Sequence, residues 1–365
     1  MEFFNMRICF VGPSESSHII KWCDWFNNQG HEVHVISFTN HKIDSANVHT
    51  INIGVDPNGN ELQKIKYMLT GKKIKKIVEE IKPDVINAHY ATSYGVAMAL
   101  SGVKNYVLSI WGSDIFEFPQ KSPLHKALLK FSLKNAPYLF STSRAMSDEA
   151  RKYVNRKFYI TPFGVDMDLF SPIKRTRSNS DDTFIIGTVK GLNDNYGIKY
   201  ILMAASEVVN NTQINLKLRI AGKGDKEQEY RDLAKELGID DITNWLGYIS
   251  QEQAAIEWAN MDLAVIPSIN ESFGVSAVEA QACGTPVIIS DIPGLMEATD
   301  PGKSSIVVNR KDHHQIAEAI KDMYYNNEKR LEMGAYGRRF AIHNYELNRC
   351  FKKIENYYEK ILERK

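Results

Sequence analysis

Along most of the 365 residues, short apolar runs alternate with stretches whose apolar positions recur at helical spacing. Arg7 to Gly12 is an apolar run closed by glycine, Ile19 to Gly30 reads as a helix, and His31 to Phe38 is a second apolar run. Strand, helix and strand within about 30 residues form a βαβ unit, which demands a parallel sheet. Pro83 to Tyr90, Tyr106 to Asp114 and Leu139 to Ser143 repeat the design, the first two with polar tips. Phe158 to Phe170 follows, and then Lys174 to Asp182, whose composition is that of a linker. The alternation restarts with Phe184 to Val189, a helix from Ile198, Leu216 to Ala221, a helix around Tyr230 to Leu237, and Thr243 to Leu246. The expected fold is α/β, with two doubly wound parallel-sheet domains, 1–172 and 173–343, and a cleft between them. A helix is expected over Lys311 to Tyr325. The tail, 344–365, reads as one amphipathic helix with Phe351, Ile354, Tyr358 and Ile361 on a single side.

The densest pattern runs from Val265 to Ser290: a buried strand, a polar loop, an apolar helix starting near Gly274, a stop at Gly284, and a strand opened by Pro286. Glu279 lies inside that helix among Val275, Ala277, Val278, Ala280 and Ala282. A carboxylate on so apolar a helix needs a polar partner. Glu271 stands in the loop before it. Between the two acids, Ser272, Phe273, Gly274 and Val275 bring the free N–H groups and positive dipole end of a helix N-terminus, a natural anion site. Carboxylates beside an anion suit hydroxyls, and hydroxyls flanking a diphosphate describe a sugar nucleotide. The bland alternative is a capped core helix with one awkward acid.

Other polar tips join this picture. Gly12 opens a loop at the carboxyl end of the first strand, where open α/β sheets bind ligands. The loop lacks the G-x-G-x-x-G spacing, which argues against a nicotinamide or flavin enzyme. His89 follows a buried run beside Tyr90 and reads equally as a core histidine. Trp111, Ser113 and Asp114 offer a stacking ring and a carboxylate for a sugar, although Asp114 also fits a helix N-cap. Lys190 and Gly191 end the first strand of the second domain. There a cation would stabilise charge building on a leaving diphosphate. Gly222-Lys223-Gly224 is a further glycine-flanked tip.

Glu271 and Glu279, with seven residues between them and followed by Ala-Gln-Ala-Cys-Gly-Thr-Pro-Val-Ile, resemble the Glu-x7-Glu signature of the retaining glycosyltransferases of family 4. The resemblance implies a GT-B fold of two Rossmann-like domains, with a terminal helix returning to the first. It also implies that Glu279 holds ribose hydroxyls, Glu271 contacts the donor sugar, amides around Phe273 to Val275 hold the phosphates, and Tyr248 flanks the base. No metal and no cofactor are called for, and the donor is a nucleotide diphosphate sugar, with UDP the expected carrier. His89, Trp111, Ser113 and Asp114 then fall to the acceptor or sugar side. Pro162-Phe163-Gly164-Val165-Asp166 resembles the family's Pro-Asn-Gly-Val-Asp, with Phe163 in place of Asn. The family carries Arg where Lys190 stands and a Lys-Gly pair where Tyr196-Gly197 stands; Lys199 is the nearest replacement cation. It often has His where Trp111 stands. The expected reaction is transfer to a hydroxyl of a glycan, glycolipid or lipid-linked intermediate of cell-surface polysaccharide synthesis. An epimerase on the same fold and a non-catalytic sugar-nucleotide module are the alternatives.

Composition narrows the setting. A formal net charge of +1 argues against general nucleic-acid binding. Four scattered cysteines, Cys9, Cys23, Cys283 and Cys350, read as reduced core thiols. No apolar run suits a membrane span and the first residues do not resemble a signal peptide, so a cytoplasmic protein is expected. Lys64, Lys66, Lys72, Lys73, Lys75, Lys76 and Lys82 alternate with Ile65, Met68, Ile74, Ile77 and Val78. This basic 64–82 face reads as a solvated helix surface or as a peripheral contact with an anionic membrane.

Overall fold

The computed structural model describes residues 5–53, 69–177 and 182–363. The chain divides into two compact units, Met1–Phe163 with Phe351–Lys365, and Gly164–Cys350. The first holds β1 (Arg7–Val11), β2 (Glu32–Ser37), β3 (Asn47–Thr50), β4 (Val85–His89), β5 (Val107–Ile110), β6 (Tyr138–Ser141) and β7 (Phe158–Ile160). They form one parallel sheet in the order β3-β2-β1-β4-β5-β6-β7. The second holds β8 (Phe184–Val189), β9 (Leu216–Ala221), β10 (Thr243–Gly247), β11 (Leu263–Ile266), β12 (Val287–Ser290) and β13 (Ser305–Val308). Their order is β10-β9-β8-β11-β12-β13, again all parallel. Two parallel sheets with helices between the strands are the α/β architecture that the alternation predicts.

Strand order decides where chemistry can gather. In each sheet the winding reverses once, between β1 and β4 in the first unit and between β8 and β11 in the second. At such a reversal the two following connections leave in opposite directions and open a crevice at the carboxyl ends of the strands. Gly12 and His89 end the first pair, and Lys190 and the loop after Ile266 end the second.

Period-2 alternation builds the two faces of the second sheet. Ile186, Leu218, Ile220, Leu263, Val265 and Ile288 pack on one face with Ile201, Ala205 and Ile316. Ile185, Ala264, Ile266, Val287 and Ile289 pack on the other with Ala277, Ala280 and Leu295. The apolar helix Val275–Ala282 is thus covered, with six of its eight residues buried.

Two segments depart from a plain reading of their composition. The polar stretch after Lys174 is fastened as far as Arg177. Asn260 accepts the backbone N–H groups of Thr176 and Arg177, both at 3.0 Å, and Asp262 takes Arg177 at 2.6 Å and Arg175 at 3.2 Å. In the basic region the helix is Gly71–Ile81, with Ile74 and Ile81 buried and Lys75 and Lys76 beside Glu79 and Glu80 one turn on. Lys64, Ile65, Lys66 and Met68 lie outside the described residues. Among the described residues no helix is long and apolar enough to cross a membrane.

The helix Leu347–Leu362 belongs by packing to the first unit from Phe351 onward. Phe351 meets Trp22 and Trp25, and Tyr358 stacks on Phe26 and Phe140. The Tyr358 hydroxyl accepts from the Asn87 amide at 2.6 Å, whose oxygen accepts from Ser109 at 2.9 Å. His31 has one tautomer that satisfies both ring nitrogens: Nδ1 accepts from the Met6 N–H at 3.1 Å and Nε2 donates to Glu355 at 2.9 Å.

Candidate functional site

In the second unit, β8 delivers Lys190 to the carboxyl edge of the sheet. The backbone beyond it is braced from the neighbouring strand tip. Lys190 N–H donates to Ala221 at 2.9 Å and Leu192 N–H to Lys223 at 3.0 Å. A Cβ on Gly222 would overlap the Lys190 carbonyl, and one on Gly224 would overlap the Leu192 carbonyl. The two glycines of Gly222-Lys223-Gly224 therefore let one loop lie against the other.

From β11, on the other side of the reversal, the chain brings Glu271. The Lys190 ammonium donates to the Glu271 carboxylate, with side chains 11% and 13% exposed. The same Nζ lies 4.6 Å from the centroid of the Tyr196 ring. Burial alone would depress the Lys190 pKa, but Glu271, Tyr196 and Glu279 together outweigh it and hold the value above the ordinary lysine range. Lys190 is thus a fixed cation, and the half-buried Glu279 contributes to the same field.

Gly274 shapes the start of the next helix. Its φ is +91°, a left-handed conformation, and a Cβ there would stand 2.5 Å from Leu295 Cδ2. The N-cap residue of Val275–Ala282 is Gly274, which has no side chain to offer the first turn, and a helix N-terminus of this kind is a candidate anion-binding end. Phe273 is buried against Tyr345, 5.1 Å between centroids. Near the same strand ends the buried hydroxyls of Thr188, Ser268, Ser276 and Ser290 have no hydrogen-bond partner among the described residues. Gly191 lies beside Tyr196, and Tyr248 stands 78% exposed after β10. Lys199 lies over Tyr200, 5.1 Å from the centroid.

In the first unit, Gly12 packs under His89: a Cβ there would sit 3.4 Å from the His89 Cβ. The His89 ring is fully buried among Phe10, Trp22 and Trp111, with neither nitrogen hydrogen-bonded. Burial, with His18 adding to it, pulls its pKa down to about 3, so the ring is neutral. Trp111 also meets His18, Tyr90 and Phe163, and Phe163 stacks on His18 at 3.9 Å. Asp114 is buried and turned inward. Its carboxylate accepts the backbone N–H groups of Ala91 at 2.9 Å, Gly112 at 2.8 Å and Trp111 at 3.2 Å. It ties the tips of β4 and β5 together, so its reach toward a sugar is that of a residue holding Trp111 in place. Ser113 is exposed beside it.

Two features carried no readable signal in the sequence. Tyr196 supplies the ring under Lys190 where the family pattern has a cation. Tyr90 has a φ of +67°, a strained conformation for a bulky residue, at the tip of β4. Of possible metal ligands among the described residues, Glu207, His313 and His314 come within 4.8 Å of one another, with His314 already hydrogen-bonded to Glu207 at 2.7 Å.

Solved structures match this architecture over nearly the whole chain. Sucrose-phosphate synthase from Thermosynechococcus elongatus superposes with a TM-score of 0.85 at 18% identity, covering 99% of this chain and 100% of its own. HepE of Anabaena, solved with UDP and glucose, gives 0.80 at 17% identity, covering 98% and 100%. The fold is therefore of the GT-B class. Residues 171–340 match the model of glycosyl transferases group 1, and residues 7–143 match that of glycosyl transferase 4-like proteins. Each part of the chain is thus similar to a glycosyltransferase family over most of its own length. A D-inositol 3-phosphate glycosyltransferase of Corynebacterium jeikeium is 33% identical over 191 residues, 48% of this chain and 46% of that protein. The matched region spans about half the length of such relatives.

Proposed function

We propose that the chain is a retaining, metal-independent glycosyltransferase and that its second unit holds a nucleotide diphosphate sugar. The observation that carries the reading is the fixed Lys190 cation, drawn with Glu271 from the two strands of the sheet reversal and set in one field with Glu279. In this reading the amides of Phe273 to Val275 and the Lys190 ammonium take the diphosphate, and both act more strongly as charge builds on the leaving group. Glu279 accepts from the ribose hydroxyls, Glu271 from the donor sugar, and Tyr248 lies along the base. Glu271 is already the counterion of Lys190. An incoming diphosphate therefore shares the ammonium with it, and the carboxylate turns toward sugar hydroxyls.

On the first unit, Trp111 and Ser113 serve the acceptor or sugar side, with Gly12 at the phosphate edge and His89 and Asp114 holding the wall behind them. The acceptor is a hydroxyl of a glycan, glycolipid or lipid-linked intermediate. The name of the Corynebacterium relative adds phosphorylated cyclitols to the panel worth testing. UDP is the proposed carrier; HepE, of the same fold, was solved with UDP.

A thermal-shift series of UDP, GDP and ADP tests the donor, since a ligand of the folded state stabilises it according to its affinity. UDP is expected to give the largest shift, and no shift with any of the three overturns the reading. Release of a free epimerised sugar without acceptor would make the protein an epimerase. Donor binding with neither transfer nor hydrolysis would make it a binding module.

A further inference from the structure

The first unit carries a second concave site that donor chemistry does not use. At the free edge of the seven-stranded sheet, β7 and the helix Leu347–Leu362 line an open pocket of about 430 Å³. Its wall contains Arg144, Lys157, Lys353 and Lys360, with no acidic side chain among the lining residues. Two tyrosines, Tyr159 and Tyr357, stand 4.9 Å apart at its base, with Lys157 5.0 Å from the Tyr159 ring and Lys353 6.0 Å from the Tyr357 ring. A small apolar cleft lined by Phe140 and Ile361 continues from the same tyrosines.

The charge count decides the ligand class. Four exposed cations converge on one small pocket whose lining residues include no carboxylate, so the local field there is positive. A multiply charged anion can meet several of these ammonium and guanidinium groups at once, with the tyrosine rings beside them. The edge strand adds backbone groups that no neighbouring strand takes up. A phosphate-bearing group of about sugar or headgroup size fits the volume. We propose that this pocket binds a phosphorylated ligand, its phosphate against Lys157, Lys353, Lys360 and Arg144 and its remaining part over Tyr159 and Tyr357. The residues lie away from β1 and β4, two or more strands along the sheet, so the site does not depend on the donor reading.

The ligand is either free in solution or displayed on a membrane, and one pair of variants separates the sources. Inorganic pyrophosphate is titrated calorimetrically, and vesicles of phosphatidylcholine with or without an equal share of phosphatidylglycerol are tested by co-sedimentation. Both are run on the full chain, on K157Q/K360Q, and on K104Q/K134Q as a charge-matched control at two exposed lysines outside the pocket. Circular dichroism confirms that each variant is folded. Saturating UDP is added to occupy nucleotide chemistry elsewhere. A loss of about tenfold in pyrophosphate affinity in K157Q/K360Q alone assigns the pocket to a soluble phosphate ligand. Loss of phosphatidylglycerol-dependent binding in the same variant, with pyrophosphate unchanged, assigns it to a membrane phosphate. If K157Q/K360Q changes neither measurement beyond K104Q/K134Q, the proposal is wrong.

Discussion

Replacing Lys190 with Met keeps much of the side-chain volume and deletes the cation, so Glu271 is left largely buried with its charge uncompensated. Breaking a fully buried ion pair from one side costs about 3–5 kcal/mol. Both side chains here keep a tenth of their surface in water, which places the expected loss near 2–3 kcal/mol. Lys190→Met with Glu271→Gln removes the stranded charge, and that double variant should lie within about 1 kcal/mol of the wild type. Urea titrations of the four proteins, read as midpoints at constant slope, then give a coupling of at least about 1–2 kcal/mol, to which any loss in Glu271→Gln adds. A coupling below about 0.5 kcal/mol refutes the pair as a determinant of the site. Because the folded pKa of Lys190 is raised, its contribution is complete below the ordinary lysine value and fades only as pH rises through the higher folded value. The coupling should therefore be constant between neutral pH and the onset of lysine titration. The catalytic reading asks for more: at least a tenfold fall in turnover for folded Lys190→Met. Wild-type turnover in that protein would remove the cation from the mechanism.

Three further outcomes follow from particular contacts. Glu279→Ala should weaken UDP binding by about 1–3 kcal/mol in calorimetry, and unchanged affinity would sink the ribose assignment. Burial pulls His89 down to about 3 and His18, whose ring edge still reaches the surface and which Lys21 also opposes, to about 4. Both bind protons in the unfolded state first, so stability should fall from pH 6.5 toward pH 4 by about 1.4 kcal/mol per unit for each. Asp114, raised by burial against its backbone hydrogen bonds, works in the opposite direction, adding stability as pH falls from its raised folded value toward the ordinary aspartate value, and so offsets part of the histidine slope. His89→Leu should remove about half of that slope, and an unaltered profile would mean His89 is not the titrating group. Tyr358→Phe strands the Asn87 amide, with an expected loss of about 1–2 kcal/mol and faster hydrogen exchange over 351–362; unchanged exchange would show that the hydroxyl does not anchor this helix.

Much of the architecture can be read locally because its signals are local. Leu216–Ala221 and Phe184–Val189 are strands over the limits that their apolar runs predict, and Gly30 and Gly284 stop the helices they follow, each in a left-handed conformation. Phe351, Ile354, Tyr358 and Ile361 all lie on the buried side of their helix. Long-range pairing is another matter. Asp114 looks like a carboxylate displayed at a strand tip, yet Ala91, one of its three backbone partners, lies 23 residues earlier. Lys174 to Asp182 reads as linker because its composition says nothing of Asn260 and Asp262, more than 80 residues away.

The Lys190 site shows where that limit falls. Apolar alternation identifies β8 and β11 as strands but does not state that they are neighbours, and their adjacency across the sheet reversal places residues 81 apart in contact. Once the order β10-β9-β8-β11-β12-β13 is known, the position of the crevice follows from the connections alone. Its chemistry then follows from what each tip carries: a cation after β8, and after β11 an acid and a helix that starts at Gly274. Tyr196 completes the argument. Sequence comparison places it where the family has a cation, which reads as a lost phosphate contact. The structure puts its ring beneath Lys190, where it supports the charge of the remaining cation. The positive charge of the site thus rests on Lys190 and the helix end, and a Tyr196→Phe variant, which keeps the ring, should retain turnover that Tyr196→Ala loses.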